Sequence, residues 1–138
     1  MKKYILLIAG ILILFTSGCS SNRGDPKETA VHVCKALKKL DFEELKKYAD
    51  EELAKQIELG QKKKEDAQSQ INALPEPQRK SVKKIYDNQM SILREKMSMI
   101  NCENIVIKEG GDKDNKTALI DGKPVKLRFI KGSWRLTK

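Results

Sequence analysis

The chain has 138 residues, of which 39% are hydrophobic, 34% charged and 5% aromatic, and its formal charge is +9. Once an export segment is removed, this length provides one small domain and excludes a second. The scarcity of aromatic side chains predicts a mainly aliphatic core. The basic surplus fits nucleic acid, anionic headgroups or acidic polymers as partners, and it also fits a solvated surface in which lysines alternate with glutamates.

The first 18 residues have the pattern of an export signal. Two lysines, Lys2 and Lys3, precede an uncharged run from Tyr4 to Phe15. That run is shorter than the about 20 apolar residues that span a bilayer, so a signal peptide over residues 1–18 is predicted. Its removal takes away two lysines and no acid, which lowers the charge from +9 to +7. An exported chain rarely meets nucleic acid, so we expect no nucleic-acid partner.

A cysteine stands directly after the small residues Ser17 and Gly18. This order resembles the lipobox of bacterial lipoproteins. The resemblance implies fatty acylation of the Cys19 thiol, of the palmitate type, and a polar tether over residues 19–25. It also implies a chain anchored in the cell envelope, and Ser20 implies the outer membrane if the organism has one. Plain secretion and an uncleaved anchor remain the alternatives.

Two further cysteines are left if Cys19 carries lipid. Cys34 and Cys102 form an even pair in an oxidising compartment, where disulfides form and persist. A bridge between them would close a long loop and stabilise the fold by roughly 4 kcal/mol in the chain-entropy model. The alternative is a pair of buried free thiols. Two cysteines without a nearby histidine do not predict a metal site.

Four helices are predicted in the first two thirds of the domain, which spans residues 26–138. Asp25 and Asp41 each precede an acid three residues on, the pattern of a capped helix start. Gly60 is expected to interrupt the second helix, and Pro75 and Pro77 to force a turn. Apolar spacing then predicts helices over about 26–40, 42–57, 61–74 and 77–99. The predicted apolar stripe of the last helix holds Val82, Ile85, Tyr86, Leu93, Met97 and Ile100, and Met90 and Ile92 widen it.

The last third changes to the period of β-structure. Strands are predicted over about 102–108, 116–121, 124–131 and 133–137, with Asp121-Gly122 as a hairpin turn. Alternation gives the resulting meander two faces. The predicted apolar face holds Val125, Leu127, Phe129, Trp134 and Leu136. The predicted basic face holds Lys126, Arg128 and Arg135.

Two stretches in the domain resemble a known family. The segments KALKKLDFEELKKYA (35–49) and VKLRFIKGSWRL (125–136) are similar to small bacterial lipoproteins with a cystatin-like domain of unknown function, in the nuclear-transport-factor-like superfamily. The resemblance implies an α+β fold in which a curved four-stranded antiparallel meander packs on N-terminal helices. It also implies that a cone-shaped pocket sometimes lies between them. It transfers no catalytic residue.

The leading hypothesis for function is therefore a non-enzymatic envelope module that binds a protein, a peptide or a cell-wall polymer and uses no cofactor. The first alternative is a small-ligand carrier or small enzyme with a cone-shaped pocket. For that alternative Asp121 and Glu103 are the nearest acids, and His32 is expected to face solvent. The second alternative is an inhibitor or immunity-type lipoprotein. Helical extensions such as residues 58–99 often dimerise, so a dimer is also possible.

Overall fold

The computed structural model describes residues 24–138 as four helices followed by four strands. The helices are α1 (Pro26–Lys39), α2 (Phe42–Tyr48), α3 (Glu51–Ala73) and α4 (Glu76–Ser98), and the strands are β1 (Val106–Glu109), β2 (Asn115–Ile120), β3 (Lys123–Ile130) and β4 (Ser133–Thr137). The predicted α+β fold, with N-terminal helices and a four-stranded antiparallel meander, is confirmed. The predicted signal peptide (1–18) and the lipidation site Cys19 lie outside the described residues.

Aspartate side chains cap the first three helices. The Asp25 carboxylate accepts the Lys27 N–H at 2.8 Å, and the Asp41 carboxylate accepts the Glu44 N–H at 3.0 Å. Asp50 caps α3 in the same way. Each such cap satisfies a backbone donor that has no partner within its own helix and contributes about 1 kcal/mol.

The single helix predicted over residues 42–57 is wrong, because the chain breaks between α2 and α3. Ala49 is extended and forms an isolated bridge with Leu136 in β4. The next N–H, that of Asp50, donates to the Leu136 carbonyl at 2.7 Å. A hydrogen bond to a strand far along the chain thus overrides the local helical pattern.

The predicted interruption at Gly60 is also wrong. The separate helix predicted over 61–74 is part of α3, which runs without a break from Glu51 to Ala73. A glycine inside a helix costs only about 1 kcal/mol relative to alanine. Directly after it, the Gln61 side-chain amide donates to the Glu43 carboxylate at 3.0 Å. This contact holds α3 alongside α2 at the point where a break was expected.

The sheet is an uninterrupted meander in the order β1-β2-β3-β4. Asp121 and Gly122 turn the chain with φ of 52° and 74°, and Lys131 and Gly132 do so with 49° and 84°. Two successive positive φ values are the requirement of a tight hairpin turn whose twist matches the strands. Residues pair in unbroken register along all three ladders, without a bulge that would bend a strand. The sheet is accordingly not strongly curled, in contrast to the curved sheet expected from the resemblance.

The core lies between α1 and the inner face of the sheet. Val33 and Cys34 of α1 are fully buried, and Leu127 of β3 is 1% exposed. Cys34 is disulfide-bonded to Cys102, with 5.8 Å between their Cα atoms. Cys102 precedes β1 rather than opening it, so the bridge ties α1 to the segment that joins α4 to the sheet.

The start of the described chain is fixed to the sheet. The Trp134 indole N–H donates to the Gly24 carbonyl at 3.2 Å. Trp134 is 5% exposed and its ring packs against Phe129 with 5.4 Å between centroids. The indole therefore contributes to the core and, at its polar end, holds Gly24, two residues before α1 begins at Pro26.

Helices α3 and α4 form an antiparallel pair that extends past the core. Ile71 is the buried residue of α3, and α4 has none. Tyr86, Met90 and Met97 of α4 are half-buried, whereas Val82 and Ile85, predicted to share their stripe, are 39% and 60% exposed. The predicted apolar stripe of α4 is therefore wider than the surface that the helix buries. This part of α4 packs mainly against α3, and a single neighbouring helix buries only a narrow strip of side chains.

Candidate functional site

The outward face of the sheet is the candidate site, and strand register decides which side chains it holds. Directly paired residues of antiparallel strands share a face. Lys126 pairs with Thr117 on one side and with Thr137 on the other, and Thr117 pairs with Lys108. These four side chains form one row across all four strands. Since neighbouring strands are about 4.8 Å apart, the backbones that carry the two lysines are about 10 Å apart.

The adjacent row contains both predicted arginines. Arg128 pairs with Asn115 on β2 and with Arg135 on β4. We call these two rows the cationic face; its members are Lys108, Asn115, Thr117, Lys126, Arg128, Arg135 and Thr137. Within the described strands no acid occupies an outward position, and Lys108, Lys126 and Arg128 are exposed.

A loop carboxylate orients Arg128 through an amide. Asp112, in the loop between β1 and β2, accepts both contacts of the Asn115 side-chain N–H2 group at 2.8 and 2.9 Å. The side-chain oxygen of Asn115 (Oδ1) in turn accepts the Arg128 Nε–H at 3.1 Å. This contact uses Nε alone, so the two terminal nitrogens of Arg128 can pair with an anion.

The carboxylate at the start of this chain of contacts is itself stabilised in its charged form. The Asp114 backbone N–H donates to Asp112 at 2.8 Å. That hydrogen bond, followed by the one from Asn115, holds the pKa of Asp112 below its usual range. Asp112 therefore stays ionised and keeps the Asn115 amide turned toward Arg128.

Arg135 differs from the other two predicted basic residues because it lies at the sheet edge and is half-buried. Its guanidinium donates to the Lys47 carbonyl at the end of α2, and its Nε donates to the Ser133 hydroxyl at 2.9 Å. It thereby contributes to holding α2 against β4 and offers less of its charge to solvent than Lys126 or Arg128.

The inner face holds the residues predicted as apolar. Leu127, Trp134 and Leu136 are buried, and Val125 and Phe129 are half-buried against the core. They form one cluster with α1, whose members include Val33 and Cys34. The inner face of the sheet is thus occupied by core packing, while the outer face is left to solvent.

A cleft of about 430 Å³ opens between α3 and α4, and Phe42 of α2 is among the residues that line it. The Tyr86 hydroxyl lies in this region, buried and without a hydrogen-bond partner among the described residues. Lys64, Glu65, Asp87 and Arg94 also line the cleft. The cleft lies between helices and not between helices and sheet, where the cone-shaped pocket was expected.

The acids and the histidine considered for catalysis do not meet. Asp121 is an exposed turn residue, and Glu103 is exposed ahead of β1. His32 is half-buried and stacks on Tyr48 with 5.1 Å between ring centroids, so the expectation that it faces solvent is wrong. Burial raises the pKa of the Tyr48 hydroxyl. Both rings serve the packing between α1 and α2.

Residues 24–138 contain no helix with the length and apolarity needed to cross a bilayer. The same residues contain no group of three or more His, Cys, Asp or Glu side chains arranged to hold a metal ion.

Alternation along β3 and β4 is enough to identify Lys126, Arg128 and Arg135, but not their surroundings. Lys108 joins them only through the pairing of β1 with β2. The Asp121-Gly122 hairpin fixes only the register of β2 with β3, whereas the register of β1 with β2 depends on the longer loop between them. The contact from Asp112 depends on the loop conformation, for which the sequence carries no clear signal.

No family model matches the chain, and no curated protein or solved structure matches it either.

Proposed function

We propose that the chain is a bacterial envelope lipoprotein, acylated on Cys19, whose domain binds an acidic partner on its cationic face without catalysing a reaction. The observation that carries the proposal is the exposed set Lys108, Lys126 and Arg128 on a sheet face without an outward acid. Kinship with the cystatin-like lipoproteins is part of the proposal and rests on the two sequence stretches 35–49 and 125–136.

The geometry favours an extended polyanion over a single small anion. Three cationic side chains on two neighbouring rows present charge over about 10 Å, the span of two strand spacings. Thr117 and Thr137 add hydroxyl groups in the row that holds the two lysines. An acidic cell-wall polymer has repeated charges that can meet such a surface, and a face of one sign raises the local concentration of that polymer.

The location follows from the N-terminal pattern and agrees with the cysteine chemistry. The Cys34–Cys102 bridge is of a kind that persists in oxidising, extracytoplasmic compartments. Two or three acyl chains on Cys19 would hold the protein durably, since each buried methylene contributes about 0.8 kcal/mol. The anchor would keep the domain beside the envelope polymers it is proposed to bind.

Purified cell walls test the binding surface. We expect the wild-type protein to sediment with walls that retain their acidic polymers and to stay in solution with acid-extracted walls. Lys126→Glu together with Arg128→Glu should weaken sedimentation by at least about tenfold, because like charges repel across the contact. Lys62→Glu with Lys63→Glu is the control, since it makes the same change of net charge on exposed residues of α3. Equal loss in both double variants would reduce the effect to net charge and refute the cationic face as a site.

Acylation is tested separately. Radiolabelled palmitate should enter the wild-type chain and not the Cys19→Ala variant, and that variant should leave the membrane fraction. A Cys19→Ala protein that still fractionates with membranes would contradict the anchor, whatever the wall-binding result.

A small-ligand carrier is the second candidate, and the buried Tyr86 hydroxyl favours it. A buried hydroxyl without a partner is costly, and a ligand group in the cleft could accept its hydrogen bond. A ligand in the α3–α4 cleft should shift the NMR signals of Gln68 and Met90, both of which line it. Soaking with envelope extracts that leaves those signals unmoved would remove this candidate.

A further inference from the structure

The loop between β1 and β2 carries an acid close to the proposed anion-binding surface. Asp112 contacts Asn115 at the start of β2, and Asn115 is paired directly with Arg128 of β3. By charge alone, an acid beside a cationic face should weaken the binding of a polyanion. The hydrogen bonds between Asp112 and Arg128 reverse this expectation.

The amide between the two charges has only one favourable orientation. A carboxylate only accepts hydrogen bonds, and a guanidinium only donates them. The Asn115 N–H2 group therefore faces Asp112, with contacts of 2.8 and 2.9 Å, and its Oδ1 faces the Arg128 Nε–H at 3.1 Å. If the amide turned over, its oxygen would meet the carboxylate and its N–H2 group would meet the guanidinium. Asp112 thus fixes the acceptor that Arg128 uses.

Backbone hydrogen bonds hold this loop on the sheet. The Gly110 N–H donates to the Asn115 backbone carbonyl at 3.0 Å, and the Asn115 N–H donates to the Asp112 backbone carbonyl at 3.3 Å. The Phe129 N–H donates to the Asp114 backbone carbonyl at 2.8 Å, which ties the loop to β3. The place of the Asp112 carboxylate is therefore set by the fold, before any ligand binds.

The contact with Asn115 draws the Arg128 guanidinium toward β2. Arg128 is also paired directly with Arg135 on β4, and like charges at directly opposed positions repel. Arg135 donates to the Lys47 carbonyl at the end of α2, on the other side. The two guanidinium groups are thus held by acceptors that lie in opposite directions. Arg128 is kept on the side of the sheet that carries Lys108.

Orientation outweighs charge in this arrangement. Among the groups that lower the pKa of Asp112, the hydrogen bond from the Asp114 N–H contributes most and the Arg128 charge least. The carboxylate therefore offsets little of the Arg128 charge. Because the contact with Asn115 uses Nε alone, the terminal nitrogens of Arg128 can make two parallel contacts with one acidic group. A side chain that is held in advance loses less freedom when the ligand binds.

We infer that Asp112 is a positioning residue of the cationic face: by fixing Arg128 through Asn115, it strengthens the binding of an acidic polymer. The inference rests on the proposed function, because the orientation of Arg128 matters only if the polymer meets it. Its sign is opposite to that of net charge, since attraction by net charge alone would gain from the loss of any nearby acid.

Binding of long-chain inorganic polyphosphate tests the sign. The full chain is reconstituted in phosphatidylcholine nanodiscs, which carry no net charge, and fluorescein-labelled polyphosphate is followed by anisotropy against empty nanodiscs. Asp112→Asn should weaken binding by at least about threefold, the scale of the ordering cost of one long side chain, although it makes the chain more positive. Asp121→Asn is the matched control, because it makes the same charge change on an exposed residue at the other end of β2. That control should leave the affinity unchanged or raise it by less than about twofold.

A second substitution separates positioning from loop stability. Arg128→Lys keeps the charge and removes the Nε–H, so adding Asp112→Asn to the Arg128→Lys variant should no longer weaken binding. Equal weakening with and without Arg128→Lys would show that Asp112 only supports the loop, and would refute the inference. Tighter binding by Asp112→Asn alone would refute it as well.

Failure of the proposed function has a different signature. Polyphosphate that does not bind the wild type, or that binds equally well after Lys126→Glu with Arg128→Glu, would remove the cationic face as a site and the inference with it. Wild-type binding that is lost in that double variant, together with tighter binding by Asp112→Asn, would leave the cationic face in place and overturn the role of Asp112 alone.

Discussion

Breaking the Cys34–Cys102 bridge should lower the free energy of unfolding by about 4 kcal/mol. The two cysteines are separated by 68 positions. For a loop of that length, the entropy that the bridge removes from the unfolded chain corresponds to about 4 kcal/mol at 25 °C. In a domain of this size that loss should lower the melting temperature by roughly 15 °C.

Urea unfolding of the exported chain from residue 20 onward, with and without reductant, measures this loss directly. Reduction keeps both sulfur atoms in place, so it isolates the effect of the cross-link. The Cys34→Ala, Cys102→Ala variant should lose slightly more, because Cys34 is fully buried and its sulfur fills core volume. A difference below about 1 kcal/mol between oxidised and reduced protein would contradict the entropic argument. It would mean that the unfolded chain already holds α1 close to the segment before β1.

Two further predictions concern the loop that orients Arg128. Gly110→Ala should lower the free energy of unfolding in urea by about 1–3 kcal/mol, because the added Cβ would lie 2.1 Å from the Asn115 backbone carbonyl oxygen. Gly111→Ala is the control and should cost less than about 0.5 kcal/mol, because its Cβ would meet nothing within 4 Å. Equal losses would contradict the close approach. The pKa of Asp112 is depressed from its ordinary 3.8, so the stabilisation of the loop is complete above that pH and is lost only as pH falls through the lower folded value. At pH 5 the Arg128 Nε proton should exchange with water more slowly than that of free arginine, and once Asp112 is protonated it should exchange as fast as free arginine at the same pH. A slowing relative to free arginine that persists below that point would refute the role of Asp112.

The sheet could be predicted from sequence because its determinants are local. Asp121-Gly122 and Lys131-Gly132 supply the two tight turns, and alternation along β3 and β4 separates the core face from the solvent face. One end of the predicted first strand is wrong, since pairing starts at Val106 rather than near residue 102. The segment before it is held by the disulfide and not by a neighbouring strand.

The helices were harder to predict because distant contacts set their ends. The break at Ala49 and Asp50 depends on Leu136, almost ninety positions later in the chain, and no window around residue 50 contains that information. The prediction of which side of α4 is buried was wrong for a related reason. Two apolar stripes overlap in its sequence, and periodicity alone does not tell which one faces α3.

The hydrogen bond between Trp134 and Gly24 limits how the body can sit on a membrane. If Cys19 carries acyl chains, five residue steps separate the anchor from a backbone atom that is fastened to the sheet. At a maximum of about 3.6 Å for each residue, the segment from Cys19 to Gly24 spans no more than roughly 18 Å. The turn at Lys131 and Gly132 would then stay close to the lipid headgroups, and the body could pivot about that corner without drifting away from it.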